Sequence, residues 1–502
     1  MQEIIYGKDD SENIVAIEYY KTPTTNTVIF KEKDGVVSYE LKNYPIICLN
    51  KNKDDNFSIE LEGNQPFKYK YETFDLQEFQ QVRRTKNSFG IWRFDENIMT
   101  THGLTMFKGF KSIKDISTLS FDLETTGLDP MLPDAKIIII SNTFDKCGVR
   151  TRKLFSIDSF NSEGDMIVAW SKWIKEINPA IILGHNIFQF DIPYLLKRAY
   201  LNNCKVKLAR DNSTLYLEDY MSSFRKDQTT FIDYRKPVCF GRHFIDTRLM
   251  AIDYDRVSQK YPNYKLKDLA KHEKVAVESR VYYDASLIRK NYMIPEEMEK
   301  IKIYAENDAD EALDLYYIFC QTKFLMTPYL PKGFQNICLS ATGSLCNSLM
   351  VRAYMQLNYS ISEPSEKESF EGAISIGNTG IYKNVFKIDV SSLYPSIMLT
   401  YDIKPKGKDE KDIFLTIVRY FTNQRLEYKR LAGETGDKYY SLLSDVTKIF
   451  CNSFYGFLGA QGLNYNCFFS ASEVTRYGRQ ILLFTINWAT GELPEQYYEG
   501  EK

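Results

Sequence analysis

The segment 119–124 reads Leu-Ser-Phe-Asp-Leu-Glu, and its strict alternation of apolar and polar residues tightly constrains the local fold. A period of two residues predicts a β-strand that buries its apolar side chains on one face. Asp122 and Glu124 then lie side by side on the other face. Neighbouring carboxylates repel one another unless a cation lies between them, so the pair predicts a metal site. An exposed polar strand face is the alternative.

Two later segments supply further acids for such a site. Residues 180–186 predict a buried strand, and Asp191 begins the helix that follows it. Helix capping is the alternative role of Asp191. Residues 295–320 predict a long helix on which Tyr304 and Asp308 are four apart and share one face. Burying an acid among alanines and leucines is costly unless a positively charged group pairs with it.

The first 115 or so residues read as short strands separated by polar turns, at 14–20, 27–31, 36–41 and 46–49. Asp34-Gly35 predicts a hairpin between two of them. The basic residues at 81–86 fit contact with a nucleic-acid backbone, although a solvated helix end is the simpler interpretation. Asp246 is a fifth acid near the predicted metal site. Capping the next helix and supporting the first acids from behind are both open roles for it.

A second group of polar residues centres on 387–398, where a strand-like half leads into a short helix. Asp389 falls where the strand breaks, a place where metal and phosphate can be held together. Taken alone, such an acid is more often a helix cap. Upstream, the sequence predicts a helix over 334–357, a polar domain boundary, and a hairpin whose strands are 371–376 and 381–383.

Residues 412–431 and 437–458 predict an antiparallel pair of helices. Arg425 and Lys429 share one face of the first helix, and Lys448, Asn452 and Tyr455 share one face of the second. A charge pair on one helix usually marks a solvated face. Basic faces on both arms beside a strand-end acid favour a triphosphate site.

Composition narrows the classes of protein. The 502 residues suggest about three domains, and 64 basic against 66 acidic residues give a net charge of −2. A nucleic-acid partner must therefore meet a local basic surface. The nine cysteines lack CxxC spacing, which favours reduced thiols. Without a signal-like N-terminus or a membrane-length apolar run, we expect a soluble cytoplasmic protein that does not contact membranes, in the host cytoplasm if the source is viral.

Three segments resemble the motifs of the four-acid 3′–5′ exonuclease superfamily: residues 121–125, 186–191 and 304–308. The resemblance implies a ribonuclease H-like domain in which four carboxylates hold two Mg²⁺ or Mn²⁺ ions for hydrolysis of a 3′-terminal nucleotide. Tyr304 would orient the attacking water, because a phenol with a pKa near 10 is a poor base. Implied metal ligands are Asp122, Glu124, Asp191 and Asp308, and implied DNA contacts are Asn186 and Phe190.

Residues 392–397, Ser-Leu-Tyr-Pro-Ser-Ile, resemble the first polymerase motif of family B DNA polymerases, and 448–456 match a later one. The resemblance implies that Asp389 binds metal and that Tyr394 stacks under the incoming sugar and excludes a 2′-hydroxyl. The implied nucleotide-binding residues are Tyr394, Arg425, Lys429, Lys448 and Asn452; the implied DNA contacts are Gly372, Tyr455 and Gly456.

The sequence departs from the family pattern after these motifs. No Asp-Thr-Asp, the core of the last palm motif, occurs in the 502 residues, and no thumb is recognisable. A single carboxylate does not hold the two cations that phosphoryl transfer needs. We therefore expect an N-terminal portion, truncated or split, that needs a second polypeptide to polymerise. The compact, aromatic-rich composition resembles that of viral or phage polymerases.

The expected architecture is an α/β (α+β multidomain) chain with a mixed-sheet N-terminal domain, an exonuclease domain and a partial palm with helical-hairpin fingers. The expected boundaries are 1–115 for the N-terminal β-rich domain, 116–330 for the exonuclease, 331–370 for a helical linker, 371–407 and 459–502 for the two parts of the palm, and 408–458 for the fingers.

Three functions are compatible with these residues. The first is a family B DNA-directed DNA polymerase with a proofreading exonuclease. The second is a stand-alone 3′–5′ exonuclease with a vestigial palm, and the third is a primer–template binding module. The joint presence of Asp389, Tyr394, Lys448 and Asn452 favours the first. Its partners would be primer–template DNA, single-stranded 3′ ends, deoxynucleoside triphosphates, a second polypeptide and a sliding clamp.

Overall fold

A computed structural model describes residues 1–227, 229–276, 278–377, 379–390 and 392–491. Asn378 of the predicted hairpin, Ser391 of the predicted strand-to-helix segment and residues 492–502 lie outside the described residues. No helix in this described part of the chain is both long and apolar enough to cross a membrane. The fold mixes α-helices with several β-sheets, as predicted.

The N-terminal part forms two small antiparallel sheets, ordered β1-β2-β3 and β5-β6-β4-β7. The predicted hairpin at Asp34-Gly35 is confirmed, since Lys33 pairs with Val36 and both turn residues have positive φ. The elements are α1 (Gln2–Tyr6), β1 (Ile14–Tyr19), β2 (Thr27–Lys33), β3 (Val36–Lys42), β4 (Ile46–Asn50), β5 (Ile59–Glu60), β6 (Tyr69–Thr73), α2 (Leu76–Val82), β7 (Ser88–Phe89) and α3 (Phe94–His102).

The middle of the chain folds around a five-stranded mixed sheet ordered β10-β9-β8-β11-β16. Strands β8 and β9 are antiparallel, whereas β8, β11 and β16 run parallel. The strands are β8 (Thr118–Thr125), β9 (Ile137–Lys146), β10 (Val149–Ser156), β11 (Ile181–Gly184), β12 (Tyr216–Leu217), β13 (Ser222–Arg225), β14 (Phe231–Tyr234), β15 (Pro237–Val238) and β16 (His243–Asp246). The helices are α4 (Glu163–Ile177), α5 (Asp191–Leu201), α6 (Thr247–Asp255), α7 (Leu266–His272), α8 (Ala285–Asn291) and α9 (Pro295–Phe319).

The C-terminal part is helical. Its helices are α10 (Gln321–Met326), α11 (Phe334–Leu339), α12 (Thr342–Gln356), α13 (Leu393–Thr400), α14 (Ile413–Thr435), α15 (Lys438–Leu458) and α16 (Phe468–Thr490). The helices predicted over 412–431 and 437–458 are confirmed as α14 and α15, which pack together. The single helix predicted over 334–357 is interrupted, because Ser340 and Ala341 have extended backbone between α11 and α12.

Two predicted β elements are wrong. The hairpin at 371–383 and the strand that begins at 387 do not form among the described residues, where 371–377 and 379–390 have no strand. Their apolar side chains are exposed, as at Phe386 (91%) and Ile388 (58%). Alternation specifies which faces a strand would bury, but a strand also needs a neighbouring backbone for its hydrogen bonds. No such neighbour lies beside this segment in the described part of the protein.

The N-terminal helix α1 shares one buried core with the helices of the C-terminal part. Arg352 of α12 is fully buried and donates from Nη2 to the carbonyls of Ile4 and Ile5 at 3.0 and 2.7 Å. Next to this contact, the Tyr329 ring lies 5.5 Å from Phe421 of α14, which stacks on Phe450 of α15 at 4.3 Å. The α14–α15 hairpin is thus anchored at its base by aromatic packing.

Phe421→Ala should loosen this anchor. The ring is fully buried, and removing a buried Phe side chain costs about 3–5 kcal/mol. We expect faster amide hydrogen exchange along α14 and α15, with the central sheet unchanged. Leu426→Ala is the matched control, because Leu426 lies on the same helix but is 59% exposed. Equal exchange rates in the two variants would contradict the anchoring role.

Candidate active site

Asp122 and Glu124 lie on β8, the central strand of the five-stranded sheet. The opposite face of the strand is apolar, and Phe121 packs against Trp170 of α4 with ring centroids 5.4 Å apart. The predicted division of the strand into an apolar and an acidic face is therefore observed. Helix α9 packs across the strand, so anything bound by the two acids must lie between β8 and α9.

Asp308 of α9 joins the pair. One carboxylate oxygen from each of Asp122, Glu124 and Asp308 lies within 4.8 Å of the others. Glu124 and Asp308 are each 6% exposed. Asp122 is half-buried. Three carboxylates at this spacing match the oxygen ligands that hard cations such as Mg²⁺ and Mn²⁺ prefer. Tyr304 lies one helical turn before Asp308 and is also buried.

Asp191 approaches the same cluster from the neighbouring strand. It is the first residue of α5 and not its cap, since Phe190 occupies that position. Its Oδ1 accepts a hydrogen bond from the Leu123 backbone N–H of β8 at 3.2 Å. Strand β11 comes this close to β8 because it ends in Gly184, where a Cβ would lie 2.5 Å from the Phe121 carbonyl oxygen. The alternative interpretation of Asp191 as a helix cap is therefore wrong.

Asp246 serves both roles left open for it. As the cap of α6 it accepts from the backbone N–H groups of Arg248 and Leu249. The same carboxylate accepts from the N–H groups of Asn186 and Phe188, each at 3.0 Å. Asp246 thus fixes the loop between β11 and α5, and with it the position of Asp191.

Burial and mutual repulsion dominate the electrostatics. Burial, followed by the charges of Glu124, Asp191 and Asp308, raises the pKa of Asp122 well above its ordinary value. Burial also raises the pKa of Glu124 well above normal and that of Asp191 to about 7. The Lys267 charge opposes the shift at Asp122 and Glu124. Such an arrangement of acids favours the binding of a cation, because a cation relieves the repulsion.

Two cations at this site were not predicted. Lys267 of α7 donates from Nζ to the Tyr304 hydroxyl and lies 4.1 Å from the ring centroid. Arg280, between α7 and α8, forms an ion pair with Asp308. In the sequence Lys267 lies among ordinary helical lysines and Arg280 in an irregular stretch. No local pattern distinguishes them, because their partners are 37 and 28 residues away.

A cavity of about 560 Å³ has a lining that includes Lys226, Arg248 and Lys265. Asn186, predicted to contact DNA, also lines it, with its side-chain oxygen accepting from Arg248 Nη1 at 2.7 Å. Phe190, the second predicted contact, is half-buried against Tyr194. Arg248 is a further residue that sequence reasoning missed.

The second group of predicted site residues is less tightly assembled. Tyr394 of α13 packs against Tyr455 of α15 with ring centroids 4.3 Å apart, and a Cβ at Gly478 would lie 3.2 Å from the Tyr394 ring. Arg425 donates to the Ser392 hydroxyl. Asp389 is exposed and has no hydrogen bond or ion pair with any described residue. The structure therefore brings Tyr394 and Tyr455 together but leaves Asp389 apart.

The remaining predicted residues lie on open surfaces. Lys429 of α14 and Lys448 of α15 are exposed. Asn452 and Gly456 of α15 line a cavity of about 440 Å³. The Gly372 carbonyl accepts from Arg479 Nη1 of α16 at 2.6 Å.

Without metal, the free energy of unfolding should depend on pH because the pKa of Asp191 is raised in the folded protein. Because the folded pKa of Asp191 is about 7 and an unfolded Asp titrates near 3.9, the folded state binds more protons between these values. The stability that protonated Asp191 contributes to the folded state is therefore fully present below about pH 4, and it is lost as pH rises towards 7. In unfolding titrations without metal, Asp191→Asn should gain stability relative to the wild type as pH rises through this window. A difference that does not vary with pH would contradict the assignment.

Known protein families match this chain in two places. Residues 91–269 match the family described as DNA polymerase family B, exonuclease domain, and residues 404–499 match DNA polymerase family B. DNA polymerase 1 of Pyrococcus abyssi is 25% identical over 431 residues, covering 78% of this chain and 53% of the relative. The DNA polymerase delta catalytic subunit of Arabidopsis thaliana is 27% identical over 438 residues, covering 74% of this chain and 39% of the relative.

The fold also resembles that of a family B DNA polymerase. The structure of the family B DNA polymerase from Pyrobaculum calidifontis superimposes with a TM-score of 0.74 at 15% identity, covering 96% of this chain and 72% of that one. The chain spans about half the length of the Pyrococcus relative and less of the Arabidopsis one. Two family matches in the expected order, similar relatives and a shared fold lead to one conclusion: the chain belongs to DNA polymerase family B.

Proposed function

We propose that this chain removes nucleotides from the 3′ ends of single-stranded DNA by metal-dependent hydrolysis. The observation that carries the proposal is the triangle of half-buried Asp122 with buried Glu124 and Asp308, whose oxygens lie within 4.8 Å of one another. Asp191 lies beside it through its bond to β8. The match of residues 91–269 to a family B exonuclease domain supports the same activity.

The donor set fits Mg²⁺ or Mn²⁺, because the clustered ligands are all carboxylate oxygens. When bound, such ions activate water and stabilise the leaving 3′ oxygen. Asp122, Glu124, Asp191 and Asp308 would hold them.

Tyr304 would position the attacking water without acting as a base. Burial, followed by the charges of Asp308, Glu124 and Asp122, raises the pKa of its hydroxyl far above the ordinary value, so the group stays protonated. Lys267 donates to the Tyr304 oxygen, and the Tyr304 hydroxyl also forms a hydrogen bond with Asp308, so it is held between these two side chains. A fixed hydroxyl near the acids is suited to orient a water molecule.

The DNA strand would enter beside Asn186 and Phe190. The adjacent cavity is lined by Lys226, Arg248 and Lys265, and such cations attract phosphates. Half-buried Phe190 offers part of a ring face for base stacking. This local basic surface supplies what the net charge of −2 does not.

Asp122→Ala should abolish the exonuclease. We expect 5′-labelled single-stranded DNA to be shortened from its 3′ end by the wild type with Mg²⁺ or Mn²⁺, and the variant to be slower by at least about 100-fold, the scale on which single electrostatic stabilisers act. Asp158→Ala is the control, because Asp158 is an exposed acid paired with Lys302. Undiminished activity of Asp122→Ala would place the reaction elsewhere.

We further propose that the C-terminal half binds a deoxynucleoside triphosphate and primer–template DNA for polymerisation. The packing of Tyr394 against Tyr455 supports a role for Tyr394 beneath the sugar, and Arg425, Lys429 and Lys448 on the two hairpin arms would bind phosphates. Nucleotidyl transfer needs a carboxylate beyond Asp389. We propose that residues outside these 502, on the same or on a second polypeptide, supply it.

Primer extension tests this second proposal. The 502-residue chain carrying Asp122→Ala, which prevents degradation from masking synthesis, should bind primer–template DNA but should not extend it with Mg²⁺ and all four deoxynucleotides. Fluorescence anisotropy verifies binding under the same conditions. Extension by these residues alone would contradict the need for a further carboxylate.

A further inference from the structure

A buried chain of charges links the acid cluster to the connection between α7 and α8. The Arg280 side chain is 2% exposed and forms ion pairs with Asp308 and with Glu311. The two acids are three residues apart on α9 and therefore share one face of the helix. The guanidinium also lies 5.3 Å from the Tyr282 ring centroid. One planar cation thus bridges two acids on the helix that carries Asp308.

Arg280 balances only part of the charge of these two acids. Arg280 alone would neutralise Asp308 and compete with a metal ion for it. Glu311, whose side chain is fully buried, has Arg280 as its ion-pair partner, so the three groups together retain one negative charge. Asp308 contacts Arg280 through Oδ1 and still takes part in the triangle with Asp122 and Glu124. Asp308 can therefore pair with Arg280 and still offer its carboxylate to a cation.

We infer that Arg280 is a positioning residue of the exonuclease centre, which orients the Asp308 carboxylate towards the cation while Glu311 anchors the guanidinium. This inference rests on the proposed exonuclease function. Groups that hold metal ligands from behind commonly change metal affinity or activity about 10–100-fold when they are altered. Two other roles are conceivable: an ion pair that only stabilises the fold, and a cation that merely competes with the metal.

The three roles predict different changes in Mn²⁺ affinity. Mn²⁺ binding to the full chain, without DNA, is measured by electron paramagnetic resonance. If Arg280 positions Asp308, Arg280→Met should bind Mn²⁺ about 10–100-fold more weakly, although the substitution removes a positive charge. Unchanged affinity would identify a purely structural ion pair, and tighter binding would identify a competitor. Either result overturns the inference.

The controls separate this inference from the proposed function. Arg289→Met removes an exposed arginine that pairs with Asp134 on the surface and should leave Mn²⁺ affinity unchanged. If Arg280→Met fails to fold, Glu311→Gln carries the test: it releases the anchor and should weaken Mn²⁺ binding about 10-fold, whereas unchanged or tighter binding overturns the inference. Wild-type chain that binds no Mn²⁺, or Asp122→Ala that binds it equally well, would instead contradict the proposed exonuclease centre.

Discussion

The candidate active site is defined by four carboxylates that the fold holds close together against their mutual repulsion. Asp122 and Glu124 cannot separate, because they are fixed on one face of the central strand. Asp308 is fixed by its position on α9, which packs against that strand. Asp191 is held by a backbone hydrogen bond to Leu123. The raised pKa values of Asp122 and Glu124 follow from this enforced proximity and from burial, and both make the cluster a natural site for divalent cations.

Local pattern predicted the separate members of this cluster, and the resemblance to exonuclease motifs predicted that they come together. The alternation at 119–124 indicated which face carries acids, and the spacing of Tyr304 and Asp308 placed both on one side of a helix. Side chains that contact the cluster from distant parts of the sequence could not be predicted in this way. Lys267 and Arg280 act on residues 37 and 28 positions away, and a lysine in a helix or an arginine in a connection has no local signature. Asp246 was ambiguous because capping and loop support need the same acid.

The C-terminal half shows the opposite limit of pattern reasoning. The helical hairpin was predicted because each helix carries its own periodicity and packs on its neighbour through residues such as Phe421 and Phe450. The strand around Asp389 was not realised, because hydrophobic alternation cannot supply a pairing strand. Phe386 and Ile388 are exposed, and their segment has no strand to pair with among the described residues. Among the described residues the two halves thus differ: one has its acids assembled, and the other has an organised tyrosine pair with Asp389 exposed and apart from it.

The central claim is that the acids between β8 and α9 form a metal centre. Its most direct test is anomalous diffraction from crystals of the protein soaked in Mn²⁺. The account predicts a strong Mn²⁺ peak bounded by Asp122, Glu124 and Asp308, which Asp122→Ala weakens or abolishes. Mn²⁺ peaks only at other positions, with these carboxylates unliganded in crystals that bind the metal, would contradict it.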